Sequence, residues 1–238
     1  MLGELYYELI ESLEKSVSKG KGNEFLRVIA NRYGLSHAAY LGVNIPTLTD
    51  RVAYGITTYN TDWVSRYISE NYIRMDPVVK HGLMGLLPLD WATLRGKNRK
   101  IDQFFGEAAE FGVGLQGLSF PIRGAHGETA LFSINSHDTR LEWEKRKPSL
   151  LRDMQIFAYH FHTSVLESEG VHFANVSLTA REMDCLKWAS EGKTSWETGE
   201  ILGIRSTTVE FYLEQARVKL NAMNKVQAVA KAIRVNAI

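Results

Sequence analysis

The 238-residue chain is short of cysteine, of net charge and of long apolar runs, and each shortage closes off a class of protein. Cys185 is its one cysteine, so no internal disulfide can form and no cysteine-based metal cluster can assemble, which suits a reducing, cytoplasmic setting. Lys and Arg number 28 against 27 Asp and Glu, a formal net charge of +1, so bulk electrostatics neither demand nor exclude a nucleic-acid partner. No apolar stretch approaches the length needed to cross a bilayer, and Glu4 and Glu8 stand where a secretory signal would be basic. A soluble, unexported protein with no membrane partner is expected. What the chain has in quantity is hydrophobic side chains, 45% against 23% charged, enough for one medium domain and one small one.

Periodicity divides the first two thirds into helices and short strands. Leu5, Leu9, Leu13 and Val17, then Phe25, Leu26, Ile29 and Tyr33, predict two amphipathic helices. Residues 37–43 and 51–58 read as neighbouring strands, and Val64, Tyr67, Ile68 and Tyr72 as a helix from Thr61. Asp76-Pro77 starts another helix, since Asp caps and Pro suits the first helical position. A loop carrying Trp91 follows Pro88, and Ile101, Phe104, Phe105, Ala108 and Phe111 mark a helix that stops at Gly112. Residues 118–123 and 129–135 form a predicted hairpin, and 141–166 a long helix with Leu150, Met154, Phe157 and Phe161 on one face. The fold class expected is α+β: an N-terminal α/β/α sandwich with a largely antiparallel sheet over residues 1–168, a polar linker over 169–177, and an all-α domain over 178–238.

That last domain announces itself through helix ends. Thr179 with Glu182 and Thr194 with Glu197 fit the capping box, in which hydroxyl and carboxylate satisfy each other's free backbone donors. Gly192 and Gly203 end the two helices so started. A third, from about Ser206, carries Val209, Leu213, Ala216 and Leu220 as a core stripe; a fourth, from Asn224, is expected to bury Val226, Val229 and Ile233. Two short helices around a glycine-containing turn fit a helix-turn-helix, although pattern alone leaves a helical interaction domain equally open. Nine cations face seven acids there, which decides nothing.

Particular residues do decide. Leu178-Thr-Ala-Arg-Glu182, Leu186-Lys-Trp188, the run from Glu191 to Glu197, Ile201-Leu-Gly-Ile204, Thr208-Val209 and Lys219-Leu220 resemble the LuxR-type DNA-binding domain. The resemblance implies structural roles for Glu182, Leu186 and Gly192, and groove contacts from the third helix, hence from Thr207, Thr208, Glu210, Phe211 and Glu214, with Thr194 beside them. Glu210 and Glu214 would repel phosphates but can accept from a cytosine amino group. Phosphate contacts are expected from Lys193, Arg205, Arg217, Lys219 and Lys225. Arg205, Thr198 and Tyr212 depart from the family pattern, Arg205 standing where a small capping Ser is usual.

In the first domain Tyr59, Trp63 and Tyr67 are spaced by four and share a helix face; by spacing alone they are core, and Asp76 is a cap. Together with Asp76-Pro77 and Trp91, however, they resemble the LuxR-type autoinducer-binding domain. The resemblance implies a signal ligand, an N-acyl homoserine lactone, and no cofactor. Trp63 would donate to the lactone carbonyl, Tyr59 to the amide carbonyl, and Asp76 would accept the amide N–H. Trp91 would cover the ring, Tyr67 wall the acyl tail, and Ser133 bond a head-group carbonyl directly or through water; Gly117 matches a small strand position. Segments 66–70 and 76–82 are similar to members that lack a dedicated synthase. The family resemblance implies a homodimer on a dyad-symmetric operator of double-stranded DNA, regulating transcription with RNA polymerase as a further partner, and ligand that completes the first domain's core. The helix over 141–166, with Phe157 on it, is the dimer surface expected.

An enzyme fits less well. Gly112, Gly114 and Gly117 match G-x-G-x-x-G but follow a helix and lead into a strand, the reverse of a dinucleotide site. Asp76 and His81 lack a nucleophile or metal-ligand spacing beside them. A phosphorylated receiver domain would alternate strand and helix, which this first domain does not.

Overall fold

A computed structural model describes residues 22–43, 45, 53–124, 127–171 and 177–238. The helix expected around Leu5 to Val17 lies outside them. The chain divides into two compact units, Met1–Arg123 with Glu128–His172, and Phe173–Ile238 with Gly124–Gly127.

In the first unit α1 (Gly22–Arg32) precedes strands β1 (His37–Val43) and β2 (Tyr54–Thr57). Helices α2 (Thr61–Ser69), α3 (Pro77–Met84) and α4 (Arg99–Glu110) follow, with β3 (Leu89–Asp90) between the last two. The hairpin of β4 (Gln116–Arg123) and β5 (Thr129–Ser136) then leads into α5 (Arg140–Ser168). The strands form one antiparallel sheet in the order β2-β1-β5-β4-β3. Two local expectations shift. Tyr72 does not continue α2; Asn71 turns left-handed and Tyr72 opens a separate 3-10 turn. Trp91 sits in a 3-10 turn capped by Asp90 directly after β3 rather than in an open loop.

Strand alternation gives the sheet two unlike faces. Ala38, Tyr40, Leu118, Phe120, Ile122, Phe132 and Ile134 point to one side and pack with Phe25, Leu26 and Ile29 of α1 and Met154, Phe157 and Phe161 of α5. Phe157, expected on a dimer surface, is 1% exposed, with its ring 5.3 Å from Phe132 and 5.8 Å from Phe25. It is core because the α5 stripe that carries it faces the sheet; Leu141, Ile156 and Tyr159 are large apolar side chains that α5 turns outward. The register pairs Thr57 with Ala39, Ala39 with Ser133, and Ser133 with Ser119, so the opposite face carries small and polar residues in a row. Helices α2, α3 and α4 cover that face.

The second unit is helical: α6 (Ala180–Ser190), α7 (Ser195–Leu202), α8 (Ser206–Lys219) and α9 (Lys225–Arg234). Both capping boxes form. Cys185, Leu186, Val209, Leu213, Ala216 and Leu220 make its core. The expectation for α9 is corrected: Ala228 and Ala232 are buried, whereas Val226 is 78% and Ile233 52% exposed and Val229 is only partly covered. Close helix packing admits small side chains at the line of contact and sends branched ones to the flanks. Among the described residues no helix is long and apolar enough to cross a membrane.

Candidate functional site

Between the small-residue face of the sheet and helices α2, α3 and α4 lies a cavity of about 390 Å³. Its walls are mostly apolar, with Leu41, Ile56, Val64, Val79, Phe104 and Leu131 among them, and its polar groups are few. That is the anatomy of a site for a small, largely apolar molecule held by a few oriented polar contacts. Of the residues expected at a ligand, Tyr59, Trp63, Tyr67, Asp76, Trp91 and Ser133 all line it.

Gly117 does not, and its part is indirect. A Cβ built there would lie 2.3 Å from the Trp91 ring, so the missing side chain is the space Trp91 occupies. Trp91 is fixed further by its indole N–H, which donates to Ser119 Oγ at 2.9 Å; Ser119 Oγ lies 2.7 Å from Ser133 Oγ. Ser133 thus enters the site as the end of a hydrogen-bonded row.

Asp76 is 7% exposed; it caps α3 and also lines the cavity. As the cap of α3 its Oδ1 accepts from Val78 N at 2.7 Å and Val79 N at 3.2 Å; its Oδ2 accepts from Tyr67 Oη at 2.8 Å. Tyr67, assigned to the acyl tail from sequence, is therefore also the group that holds this carboxylate. Burial pushes the Asp76 carboxyl above its ordinary range, and the Tyr67 and backbone donors only partly offset it. A carboxylate offers about four acceptor positions, so one further donor can be received.

Two donors face the same space uncommitted. Trp63, 4% exposed, is positioned by the Asn60 cap of α2 and by the rings of Tyr67, Tyr72, Phe104 and Phe111 at 5.6–6.0 Å. Among the described residues its indole N–H has no hydrogen-bond partner. Tyr59 Oη accepts from Asn135 at 3.1 Å and donates to none of the described residues. The site thus presents two donors and one buried carboxyl group with acceptor capacity to spare in an apolar enclosure. His81 is exposed on α3, away from the buried Asp76 carboxylate, so no acid–base pair forms there.

Sequence reasoning missed Ser119, Asn135, Phe104 and Phe105. The signal was present in the alternation of Gly117, Ser119, Pro121 against Leu118, Phe120, Ile122, and of Leu131, Ser133, Asn135 against Phe132 and Ile134. Small and polar residues on one face mark the face that something else must fill.

In the second unit α7, the turn at Gly203 and α8 have the helix-turn-helix arrangement. Thr207, Glu210, Phe211 and Glu214 are exposed on α8, and Thr208 is half-buried. Arg205, exposed at the N-cap position of α8, makes no side-chain cap bond, as a guanidinium with donors alone cannot. Other expected contacts have internal partners. Lys219 Nζ lies 2.8 Å from Glu182 Oε2, and Glu182 is 3% exposed. Burial disfavours the Glu182 charge, but Lys219 and Thr179 outweigh it and hold its carboxyl below the usual range. Arg217 grips both oxygens of Glu214 and donates to the Ala222 carbonyl at 2.6 Å. Thr194 is bound into its capping box. Lys193, paired loosely with Glu197 at 3.6 Å, and the exposed Lys225 are less engaged.

A small-molecule cavity in one unit and a helix-turn-helix in the other define a ligand-responsive DNA-binding regulator. The autoinducer binding domain family matches residues 23–165, and the bacterial regulatory proteins of the luxR family match residues 176–232. The chain is 34% identical to the transcriptional activator protein RaiR of Rhizobium etli over 174 residues, 72% of either chain. Its fold resembles that of Escherichia coli SdiA, with a TM-score of 0.65 at 19% identity over 99% of this chain and 98% of that one. SdiA in complex with octanoyl-rac-glycerol matches with a TM-score of 0.63 at 20% identity, over 98% and 94%. CepR2 from Burkholderia cenocepacia, an N-acylhomoserine lactone dependent LuxR family factor, matches with a TM-score of 0.60 at 16% identity, over 71% and 99%. The chain belongs to the LuxR family of transcriptional regulators, with an autoinducer-binding domain and a LuxR-type helix-turn-helix, and is not an enzyme.

Proposed function

We propose that the autoinducer taken by this chain is an N-acyl homoserine lactone, and that ligand-bound homodimers bind a dyad-symmetric operator. The observation that carries the reading is the buried Asp76 carboxylate beside two unpartnered donors. A lactone amide N–H supplies the donor Asp76 can still receive, its amide carbonyl accepts from Tyr59, and the lactone carbonyl accepts from Trp63. Trp91 covers the lactone ring, Ser133 bonds a head-group carbonyl, and the apolar walls take the acyl tail. The bond to Asp76 is charge-assisted and buried, so it contributes more than a neutral one. The lactone dependence of CepR2 supports the reading. The SdiA complex with octanoyl-rac-glycerol names the rival, a ligand whose hydroxyls rather than an amide would meet Asp76.

Ile156 and Tyr159, exposed on α5, are the part of the sensing unit proposed for the dimer contact. On DNA, Thr207, Glu210 and Phe211 face the bases, Phe211 against a thymine methyl, and Lys193, Arg205 and Lys225 meet phosphates. RNA polymerase is the downstream partner proposed, in keeping with relatives named as activators.

Calorimetric titration of the full chain with lactones of graded tail length, the matching monoacylglycerols and the matching fatty acids tests the ligand. A lactone is expected to bind most tightly, and Asp76→Asn to weaken it; tighter binding of a monoacylglycerol would reject the lactone assignment. Sedimentation of the lactone-bound protein is expected to give a dimer that Tyr159→Glu dissociates.

A further inference from the structure

We infer that Asn135 is a positioning residue of the ligand site, setting the direction in which the Tyr59 hydroxyl points its proton; this rests on the reading above, in which Tyr59 donates to a ligand carbonyl. Asn135 lies on β5 opposite Gly117 and is 0% exposed. It is not part of the cavity wall, so it reaches a ligand only through another side chain.

A side-chain amide has an oxygen and a nitrogen of nearly one shape, and its neighbours decide which end is which. For Asn135 the deciding neighbour is backbone. The Gly114 N–H, which can only donate, lies 3.0 Å from Asn135 Oδ1. The other end is then the amino group, and it donates to Tyr59 Oη at 3.1 Å. Tyr59 cannot return its own proton to that nitrogen, so the proton turns elsewhere, and no acceptor among the described residues takes it. Because Tyr59 lines the cavity, the proton is left for whatever occupies it.

The arrangement reaches back to a second glycine. A Cβ at Gly114 would lie 2.5 Å from the Ser136 carbonyl oxygen, so only glycine lets the segment after α4 lie against β5 and bring its N–H onto Asn135. The same contact that ties α4 to the sheet thus fixes the amide and, through it, the hydroxyl. The Asn135 bond also opposes the rise in Tyr59 pKa that burial and Asp76 cause, as a donor to the phenol oxygen must.

The test is a binding cycle on the full chain, probed with N-octanoyl homoserine lactone or, if bound more tightly, another lactone between butanoyl and dodecanoyl. Asn135→Asp keeps an acceptor for Gly114 but turns the other end into an acceptor that captures the Tyr59 proton. Tyr59→Phe is expected to weaken binding about tenfold, and Asn135→Asp by a similar factor. In the Tyr59→Phe background Asn135→Asp is expected to change affinity by no more than about twofold. Asn135→Ala introduces no buried charge and is expected to weaken binding about threefold with the same dependence on Tyr59, provided thermal unfolding shows it folded. Equal weakening by the Asn135 changes in both backgrounds would make the residue merely structural and overturn the inference. An unchanged affinity in Tyr59→Phe would also overturn it while leaving the lactone function standing. Absence of lactone binding by the unmodified protein would remove the function first and the inference with it.

Discussion

One sheet in the first unit does two jobs, and its two faces differ accordingly. On the side of α1 and α5, Phe120 and Phe132 of the sheet interlock with Phe157 and Phe161 of α5, their rings 5.3–6.4 Å apart, and none is more than 1% exposed. Facing α2, α3 and α4, Ala39, Gly55, Thr57 and Ser133 border about 390 Å³ that they leave unfilled. Alternation lets neighbouring residues on one strand serve opposite ends, so Phe132 stabilises the fold while Ser133 shapes the site. The lesson is that a binding face is recognised by what its strands withhold as much as by the groups they present.

The contrast is sharpened most by truncating the filled face. Phe132→Ala is expected to cost about 3–5 kcal/mol in denaturant unfolding, with or without ligand. A loss under about 1 kcal/mol would mean the two faces are not so different. Next, Gly117→Ala places a Cβ against Trp91 and is expected to cost about 1–3 kcal/mol of stability and to weaken lactone binding, read by unfolding and titration together. Unchanged binding would show that Trp91 need not be held where it lies.

Asp76→Asn separates the faces differently, because it is expected to weaken lactone binding by about 1.5–3 kcal/mol without lowering ligand-free stability. Burial raises the Asp76 pKa, and that sets the direction of the pH dependence. Above the ordinary carboxylate range the folded protein holds a proton the unfolded chain has released, so this group's contribution to ligand-free stability falls as pH rises through that window. A lactone amide N–H favours the carboxylate, so lactone affinity is expected to rise over the same window; titrations at several pH values should show that slope in the unmodified protein and lose it in Asp76→Asn. Smallest is the capping change Thr179→Ala, expected to cost about 1 kcal/mol in the DNA-binding unit and to leave lactone binding alone.

What could be read from sequence follows the range of the interactions. The second unit was legible because its signals are local: the capping boxes at Thr179 and Thr194 span four residues each, and the stripe from Val209 to Leu220 lies on one helix. Its misreading, Val226 and Ile233 in place of Ala228 and Ala232, came from judging burial by hydrophobicity where helix spacing chose by size. In the first unit the ring set of Tyr59, Trp63 and Tyr67 was visible through helical period. The bonds that orient it were not, because Ser119–Ser133 and Asn135–Tyr59 depend on strand register and on residues 14 and 76 apart in sequence. Phe157 was assigned to the wrong surface for the same reason, since which side of a long helix meets the sheet is a property of the packing.

The most direct test of the claim that a lactone fills the open face is thermal unfolding of the full chain with and without N-acyl homoserine lactones of graded length. At about 100 times the dissociation constant a ligand of the native state adds roughly 2.7 kcal/mol, which should raise the midpoint by several degrees, with no such rise from the matching fatty acids. A midpoint that no lactone moves, in protein shown to be folded, would contradict the account.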